Sequence, residues 1–338
     1  MNNTSECIVT INTAAKSTIT ALVLSVIALV SLLGNGLLIL VFFRSKAVKK
    51  ATNVFIINMA ASDLLFPVFL LPRQIIAAIT RSPPELFLVR GAMGSFLCKI
   101  STFLTDVSIT VSIHSLVMIT MERFLAIVFP FRIRQLSSKA RLYAILMVWI
   151  IALGIHSPYF YTHRLTSSGR CDYNWEPAFN HKITHTRYYT ALFVLIVILP
   201  FTLITILYSV MVCCLFLNKH KLVIHRSSEN APRRRSGAKE LRMLKIAATI
   251  VIAFAVCWGP FNIIQFFHLF APWKLKKLNC NIGDVLTQIA FILATANCTV
   301  NPIVCLVYLR NYRLKESLAS LRSQFSNISK GSQRETEL

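Results

Sequence analysis

The sequence predicts an all-α membrane protein, a bundle of seven transmembrane helices followed by a short amphipathic eighth helix. Composition is the first reason, because apolar residues make up 55% of the 338 residues and charged residues only 14%. Ordinary soluble domains have about 45–50% apolar and about 25% charged residues. The second reason is that the apolar residues form seven runs, each long enough for the roughly 20 helical residues that cross a bilayer. This composition excludes a disordered chain.

The predicted spans occupy most of the chain, at Ser17–Phe43, Thr52–Ile79, Ser95–Phe129, Ala140–Phe160, Tyr188–Leu217, Lys239–Phe270 and Ile282–Leu309. The first run is too long for a signal-peptide core and lacks an Ala-x-Ala-like cleavage site behind it, so we expect it to be retained. The chain then divides into an N-terminal segment (1–16), a seven-helix domain (17–309), a surface helix (310–322) and a tail (323–338). The surface helix is predicted because apolar and basic residues fall on opposite faces.

The distribution of basic residues predicts the orientation. Of the 36 Lys and Arg residues, 24 lie in or beside the loops of one side, which should therefore be cytoplasmic. The N-terminus is then extracellular and the C-terminus cytoplasmic, in the plasma membrane. Asn2 and Asn3 both begin glycosylation sequons and agree with this orientation. Topology and attraction to anionic inner-leaflet lipid account for most of the net charge of +23, and no nucleic-acid partner is needed.

Ionisable groups within a membrane span are costly and are functional candidates by default. Asp63 is the deepest of them, and four polar residues of other spans lie at comparable depths: Asn35, Ser112, Asn297 and Asn301. Their oxygen atoms would suit a small, hard cation held against the carboxylate. The alternative is that these groups form only hydrogen bonds between helices.

Two further features concern helix movement. Trp258 lies two residues before Pro260, and a proline within a helix frees a carbonyl group and kinks the helix. Arg123 ends a long apolar stretch at the inner end of the third span, and Glu240 opens the sixth. The two could form an ion pair across the bundle, and such a half-exposed pair is worth only about 0–1 kcal/mol.

Short motifs occur one per helix and in a fixed order: Gly34-Asn35; Ala61-Ser62-Asp63; Cys98 with Glu122-Arg123-Phe124; Trp149 with Pro158; Pro200 with Tyr208; Phe254 with Cys257-Trp258-Gly259-Pro260; and Asn301-Pro302. Together they resemble the rhodopsin-like (class A) G-protein-coupled receptors from about Ser17 to Ser323. The resemblance implies a receptor rather than an enzyme. It would activate heterotrimeric G proteins through outward movement of the sixth helix, with arrestin and a receptor kinase as further partners.

The resemblance also implies roles for individual residues. A sodium ion, the only cofactor implied, would bind among Asp63, Ser112, Asn297 and Asn301. The activation switch would comprise Arg123, Glu240, Tyr208, Ile113, Pro200, Phe254, Trp258, Pro302 and Cys305. Cys305 stands where the family carries a tyrosine, and a thiol is a weaker hydrogen-bond donor to Tyr208. Cys98 and Cys171 would form the disulfide of the family. We also suggest a second bridge between Cys7 and Cys280, since both are predicted to be extracellular.

The ligand is predicted from the outer half of the bundle. Amine receptors of this family carry an aspartate where Thr105 stands, which disfavours a biogenic amine. Asp106 and Arg73 should lie at similar depths, where they could pair with each other or bind a ligand of mixed charge. The long second outer loop favours a neuropeptide. The candidate ligand contacts are Arg73, Thr105, Asp106, Trp258, Gln265 and His268. The alternatives are a carboxylated lipid or small metabolite bound by Arg73 and, from another class, a channel or transporter.

Overall fold

A computed structural model of the chain describes residues 13–44, 51–129, 137–224, 231–271, 282–305 and 307. Side chains are described for these residues except 13, 44, 51–53, 216–224, 231–243, 246 and 247. Several predictions made from the sequence therefore lie outside the described residues: those on Asn2, Asn3, Cys7, Cys280, the surface helix, the tail and the side chain of Glu240.

The predicted seven-helix fold is confirmed. Seven helical segments of the described chain are long and apolar enough to cross a membrane, at Ala14–Phe43, Val54–Thr80, Gly91–Val128, Ser138–Thr162, His181–Leu215, Ala248–Phe270 and Ile282–Cys305. We call them the first to the seventh span. The third span is central, because it contacts the second, fourth, fifth and sixth spans.

The helices in chain order are α1 (Thr13–Arg44), α2 (Ala51–Asp63), α3 (Leu65–Phe69), α4 (Leu71–Thr80), α5 (Gly91–Val128), α6 (Ser138–His156), α7 (Tyr159–Thr162), α8 (His181–Leu192), α9 (Leu199–Ile224), α10 (Ala231–Phe270) and α11 (Ile282–Cys305). A π-helical stretch, Phe193–Ile198, joins α8 to α9. Two strands, β1 (His163–Leu165) and β2 (Cys171–Tyr173), form an antiparallel hairpin after α7.

The second span is divided into the three short helices α2, α3 and α4. Pro67 lies within α3 and Pro72 near the start of α4, and neither can donate a backbone hydrogen bond. The carbonyl four residues before Pro67 belongs to Asp63, so the first interruption coincides with the deepest ionisable residue. Next to it, the Ser108 hydroxyl donates to the Ser62 carbonyl at 2.7 Å, which joins the second and third spans.

The fifth span begins earlier than the sequence predicted and changes its winding before Pro200. It starts at His181, where the Asn180 side chain accepts the Ile183 N–H at 3.1 Å and caps the helix. These first turns are polar, so hydropathy alone assigned them to a loop.

Further along the fifth span, the Leu199 N–H bonds the carbonyl of Val194, five residues back. Pro200 lacks an N–H, so the π-helical winding ends beside a residue that cannot restore the α-helical bond.

The hairpin is fixed to the end of the bundle that we call outer, following the predicted orientation. The predicted disulfide between Cys98 and Cys171 is confirmed and joins β2 to α5. The first outer loop, residues 81–90 between α4 and α5, pairs with the hairpin as well. The Phe87 N–H bonds the Gly169 carbonyl at 2.9 Å, and the Cys171 N–H bonds the Glu85 carbonyl at 2.8 Å. Gly169 has a φ of 84°, a conformation that favours glycine, at the tip of the hairpin.

The first and seventh spans approach most closely at Gly34. A Cβ atom added there would lie 3.0 Å from Cγ of Pro302, whereas one added at Gly36 would meet nothing within 4 Å. The absence of a side chain at Gly34 therefore allows α11, which carries Pro302, to pack directly against α1.

We expect Gly34→Ala to lower the melting temperature of the purified receptor relative to Gly36→Ala. Both substitutions gain about 1 kcal/mol of helix propensity, but only the methyl group at position 34 must displace Pro302. Thermal unfolding of the two variants and the wild type in one detergent measures the difference. Equal melting temperatures for the two variants would contradict the proposed close contact.

Candidate functional site

A cavity of about 830 Å³ lies at the outer end of the bundle. Its volume is within the roughly 300–1,000 Å³ typical of small-molecule sites. Residues of the third to seventh spans and of the hairpin line it. Four of the six candidate ligand contacts are among them: Asp106, Trp258, Gln265 and His268.

Asp106 is held by a tyrosine that was not predicted from the sequence as a site residue. The Tyr159 hydroxyl donates to Oδ2 of Asp106 at 2.6 Å. Tyr159 is only 1% exposed, and its ring packs against those of His156 and Tyr188. His156 is itself hydrogen-bonded, with Nε2 2.9 Å from the Thr110 hydroxyl. This network orients the carboxylate from the fourth and fifth spans.

The other two candidate contacts do not line the cavity. Arg73 donates to the Pro84 carbonyl at 2.9 Å, and its guanidinium carbon lies 5.4 Å from the centre of the Phe87 ring. It therefore anchors the first outer loop, and the predicted alternative in which Arg73 pairs with Asp106 is wrong. Thr105 is 6% exposed and donates its hydroxyl to the Ser101 carbonyl, within its own helix.

Aromatic and imidazole rings form the outer wall beside the hairpin. Tyr173 of β2 lies parallel to the ring of His185, with ring centres 4.9 Å apart, and His185 contacts Tyr189 at 4.5 Å. All three residues line the cavity. Sequence analysis missed them because Tyr173 belongs to a loop and His185 to the polar turns of α8. The sequence signal that could have indicated this wall is the spacing of His185 and Tyr189, which lie one helical turn apart.

The inner end of the cavity contains the aromatic residues of the predicted activation switch. Trp258 and Phe254 lie nearly parallel, with ring centres 6.1 Å apart, and Phe254 also contacts Phe201 at 5.5 Å. Ile113 belongs to the same buried cluster, and Pro200 is buried beside Phe201. Trp258 also lines a second, smaller cavity. The structure thus gives Trp258 contact with both cavities.

The smaller cavity has a volume of about 10 Å³, close to the space needed for one water molecule. Asp63, Ser112 and Asn297 line it, and Asn301 donates its amide to Oδ2 of Asp63 at 2.7 Å. Asp63 is 3% exposed and faces the bundle interior. The oxygens Oγ of Ser112, Oδ1 of Asn297 and Oδ1 of Asn301 are buried and make no hydrogen bond with the described residues. A carboxylate that shares a cavity with the unpaired oxygens of Ser112 and Asn297 fits a small, hard cation.

Asn35, the fifth member of the predicted cluster, has a different arrangement. Its amide donates to the carbonyls of Cys298 at 2.9 Å and of Ser31 at 3.0 Å. It thus links the first span to the backbone of the seventh.

At the inner end of the third span, Glu122 lies between two arginines. Its carboxylate oxygens are 3.4 Å from Nη2 of Arg123 and 3.5 Å from Nε of Arg141, a residue of α6. Glu122 is 2% exposed, so these contacts compensate a buried charge. The contribution of Arg141 was missed because the sequence showed it only as one of the basic residues at the inner end.

Two other residues of the predicted activation switch, Tyr208 and Cys305, lie in the inner half of the bundle. The Tyr208 hydroxyl is buried and makes no hydrogen bond with the described residues. Cys305 is 4% exposed and belongs to the main apolar core. The pairing of Arg123 with Glu240 stays a prediction.

Comparison with known proteins agrees with this architecture. The family described as 7 transmembrane receptor (rhodopsin family) matches residues 34–305. A QRFP-like peptide receptor of Branchiostoma floridae is 27% identical over 323 residues, covering 92% of this chain and 80% of the relative. Neuropeptide FF receptor 2 of Mus musculus is 27% identical over 299 residues, covering 83% of this chain and 67% of the relative.

The Allatostatin-A receptor of Bombyx mori is likewise 27% identical over 303 residues, covering 85% of this chain and 75% of the relative. Identity to each relative is modest, but the family match extends over well more than half of the chain, from the first span to the seventh. The chain therefore belongs to the rhodopsin family of seven-transmembrane receptors.

Proposed function

We propose that this protein is a receptor that binds an extracellular peptide in the outer cavity and activates heterotrimeric G proteins at its cytoplasmic face. The observation that carries the proposal is the outer cavity itself, which extends from the hairpin residue Tyr173 to Trp258 and Phe254. Its aromatic walls and Asp106, the one acidic side chain among its described lining residues, suit a peptide segment better than a small, uniformly apolar ligand. The names of two of the relatives, the QRFP-like peptide receptor and neuropeptide FF receptor 2, support the same ligand class.

The proposed orientation has two supports. The end with more Lys and Arg is opposite the hairpin, and this distribution supports an extracellular hairpin. The disulfide between Cys98 and Cys171 lies at the hairpin end, and disulfides persist on the oxidising, extracellular side of the plasma membrane.

The aromatic contacts suggest how ligand binding reaches the inner face. A ligand that contacts Trp258 more favourably in one conformation shifts the population towards it. Trp258 and Phe254 lie on α10 two residues and six residues before Pro260, the proline inside that helix. Outward movement of the inner part of the sixth span about this position would open the cytoplasmic cleft for the G protein. Linkage then requires the G protein to tighten ligand binding by the same factor.

At the inner face we propose that Arg123 and Glu240 form a weak latch between the third and sixth spans. The carboxylate of Glu122 contacts Arg123 and also Arg141 of the fourth span. Glu122 therefore holds one side of Arg123. The serine-rich tail beyond the surface helix is the proposed substrate of a receptor kinase and the binding site of arrestin.

In the buried polar site, Asp63, Ser112, Asn297 and Asn301 would hold a sodium ion. The ion would neutralise the carboxylate and be coordinated by the oxygens of Ser112 and Asn297, which line the same cavity.

A carboxylated lipid or metabolite is less well supported than a peptide. That alternative relied on Arg73 to bind a carboxylate, and Arg73 instead donates to the Pro84 carbonyl and is not among the cavity-lining residues.

The receptor proposal is tested by screening a peptide library on cells that report cAMP, calcium and arrestin recruitment. We expect at least one peptide to give a signal that depends on the receptor, and Gln265→Ala to reduce its potency about tenfold, or about 1.4 kcal/mol. Lys182→Ala, an exposed outer residue that does not line the cavity, serves as the control at matched surface expression. No response to any peptide, or equal potency for both variants, would argue against a peptide site here.

The latch predicts that Glu240→Ala raises signalling in the absence of ligand. Loss of a pair worth about 0–1 kcal/mol shifts a two-state equilibrium by up to about fivefold. Basal signalling per receptor on the cell surface, with Lys239→Ala as the neighbouring control, measures the shift. An unchanged basal level in Glu240→Ala would mean that this pair does not favour the inactive state.

The sodium proposal predicts that the purified receptor melts at a higher temperature in sodium chloride than in N-methylglucamine chloride, because a ligand of the folded state stabilises it. Ser112→Ala and Asn297→Ala should each reduce this difference. Asn35→Ala is the matched control, since Asn35 is also buried but does not line the cavity, and its amide bonds the carbonyls of Cys298 and Ser31. The idea fails if the wild type shows no difference between the salts, or if all three variants retain it.

A further inference from the structure

We infer that the ligand of the outer cavity carries a cationic group, of the guanidinium or amine type, which binds Asp106. The inference rests on the proposed function and specifies the chemistry of the ligand. It follows from the charge balance of the cavity, the geometry of the carboxylate and the rings around it.

The described lining of the cavity contains one negatively charged side chain. Among the described residues that line it, Asp106 is the only Asp, Glu, Lys or Arg. A carboxylate in a largely apolar site is costly unless a cation pairs with it. The bundle nevertheless keeps the Asp106 carboxylate in this site. The group that complements it is therefore a positive group of the ligand.

The described residues supply no counter-ion. No Lys or Arg nitrogen among them lies within 4.0 Å of the Asp106 carboxylate, and Arg73 donates to the Pro84 carbonyl of the first outer loop. His163 lies behind Tyr159, with ring centres 4.7 Å apart, and burial lowers its pKa below the ordinary 6.5 although the charge of Asp106 opposes this shift. Burial therefore disfavours the charged form of His163, the form that could balance the carboxylate.

One oxygen of the Asp106 carboxylate is held by a hydrogen bond, and the other is available to a ligand. The Tyr159 hydroxyl, a neutral donor, bonds Oδ2 at 2.6 Å, whereas Oδ1 makes no hydrogen bond with the described residues. Tyr159 is buried against His156 and Tyr188, so the carboxylate is oriented before the ligand arrives. A pre-oriented acceptor costs less ordering on binding.

The surrounding rings also favour a cation. Tyr159, Tyr173, Tyr189 and Phe261 line the same cavity as Asp106. Cations are attracted to the faces of aromatic rings, and a guanidinium group can stack on a ring while it donates hydrogen bonds to a carboxylate. An anionic group would instead meet the uncompensated charge of Asp106.

The inference is tested on the purified full-length receptor with three small probes: N-acetyl-arginine amide, its neutral isostere N-acetyl-citrulline amide, and the anionic N-acetyl-glutamate α-amide. Saturation-transfer NMR measures their binding to the wild type and to Asp106→Asn. Asparagine removes the charge and keeps an oxygen that can accept the Tyr159 hydroxyl. Asp172→Asn, an exposed acidic residue of β2 outside the cavity, is the matched control.

We expect the arginine probe to bind at least about tenfold more tightly than the citrulline probe. This preference should vanish in Asp106→Asn and persist in Asp172→Asn. Equal binding of the arginine and citrulline probes, or a preference that survives in Asp106→Asn, would overturn the inference.

Peptides separate this inference from the proposed function. If peptides found by screening lose potency when an arginine or lysine is replaced by a neutral residue, and only in receptors that retain Asp106, both hold. If peptides activate the receptor without any such dependence on charge, the cationic group is wrong and the peptide receptor stands. If no peptide activates the receptor but the arginine probe requires Asp106, the peptide class is wrong and the cation site stands.

Discussion

Burial of a carboxylate in the middle of an apolar bundle is the constraint on which the arrangement of the spans depends. Asp63 is 3% exposed, and Asn301 of the seventh span bonds it at 2.7 Å. The second and seventh spans must therefore meet at this depth, and the third must bring Ser112 to the same cavity. Gly34 allows the first span to approach Pro302, so the first and seventh spans are in direct contact.

A second set of hydrogen bonds between polar side chains also fixes how the spans meet, closer to the inner end of the bundle. The Trp149 indole donates to Oδ1 of Asn58, and the Asn58 amide donates to the Ser115 hydroxyl, each at 2.9 Å. This chain of bonds joins the fourth, second and third spans. Since hydrocarbon offers no competing partner, such bonds align helices that apolar packing alone would leave free to slide.

The number of spans could be predicted because hydropathy is a local property, and Asp63, Ser112, Asn297 and Asn301 could be grouped because helical rise fixes depth. The environment of Arg73 could not be predicted, since it depends on the interrupted second span and on how the first outer loop folds back to Pro84. Tyr159 and Tyr173 were missed for a related reason. Tyr159 lies inside the predicted fourth span, but an apolar pattern does not show which side chain its hydroxyl bonds, and Tyr173 depends on the hairpin, which has no strong apolar pattern.

The outer cavity is placed asymmetrically in the bundle. Its described lining comes from the third to seventh spans and β2, and none of it comes from the first or second span. The hairpin is tied to the third span by the disulfide and to the first outer loop by backbone bonds. In the proposed mechanism, a ligand would lie between the third and fourth spans, which carry the anchored hairpin, and the fifth to seventh spans. The first two spans would then keep their positions while the sixth moves.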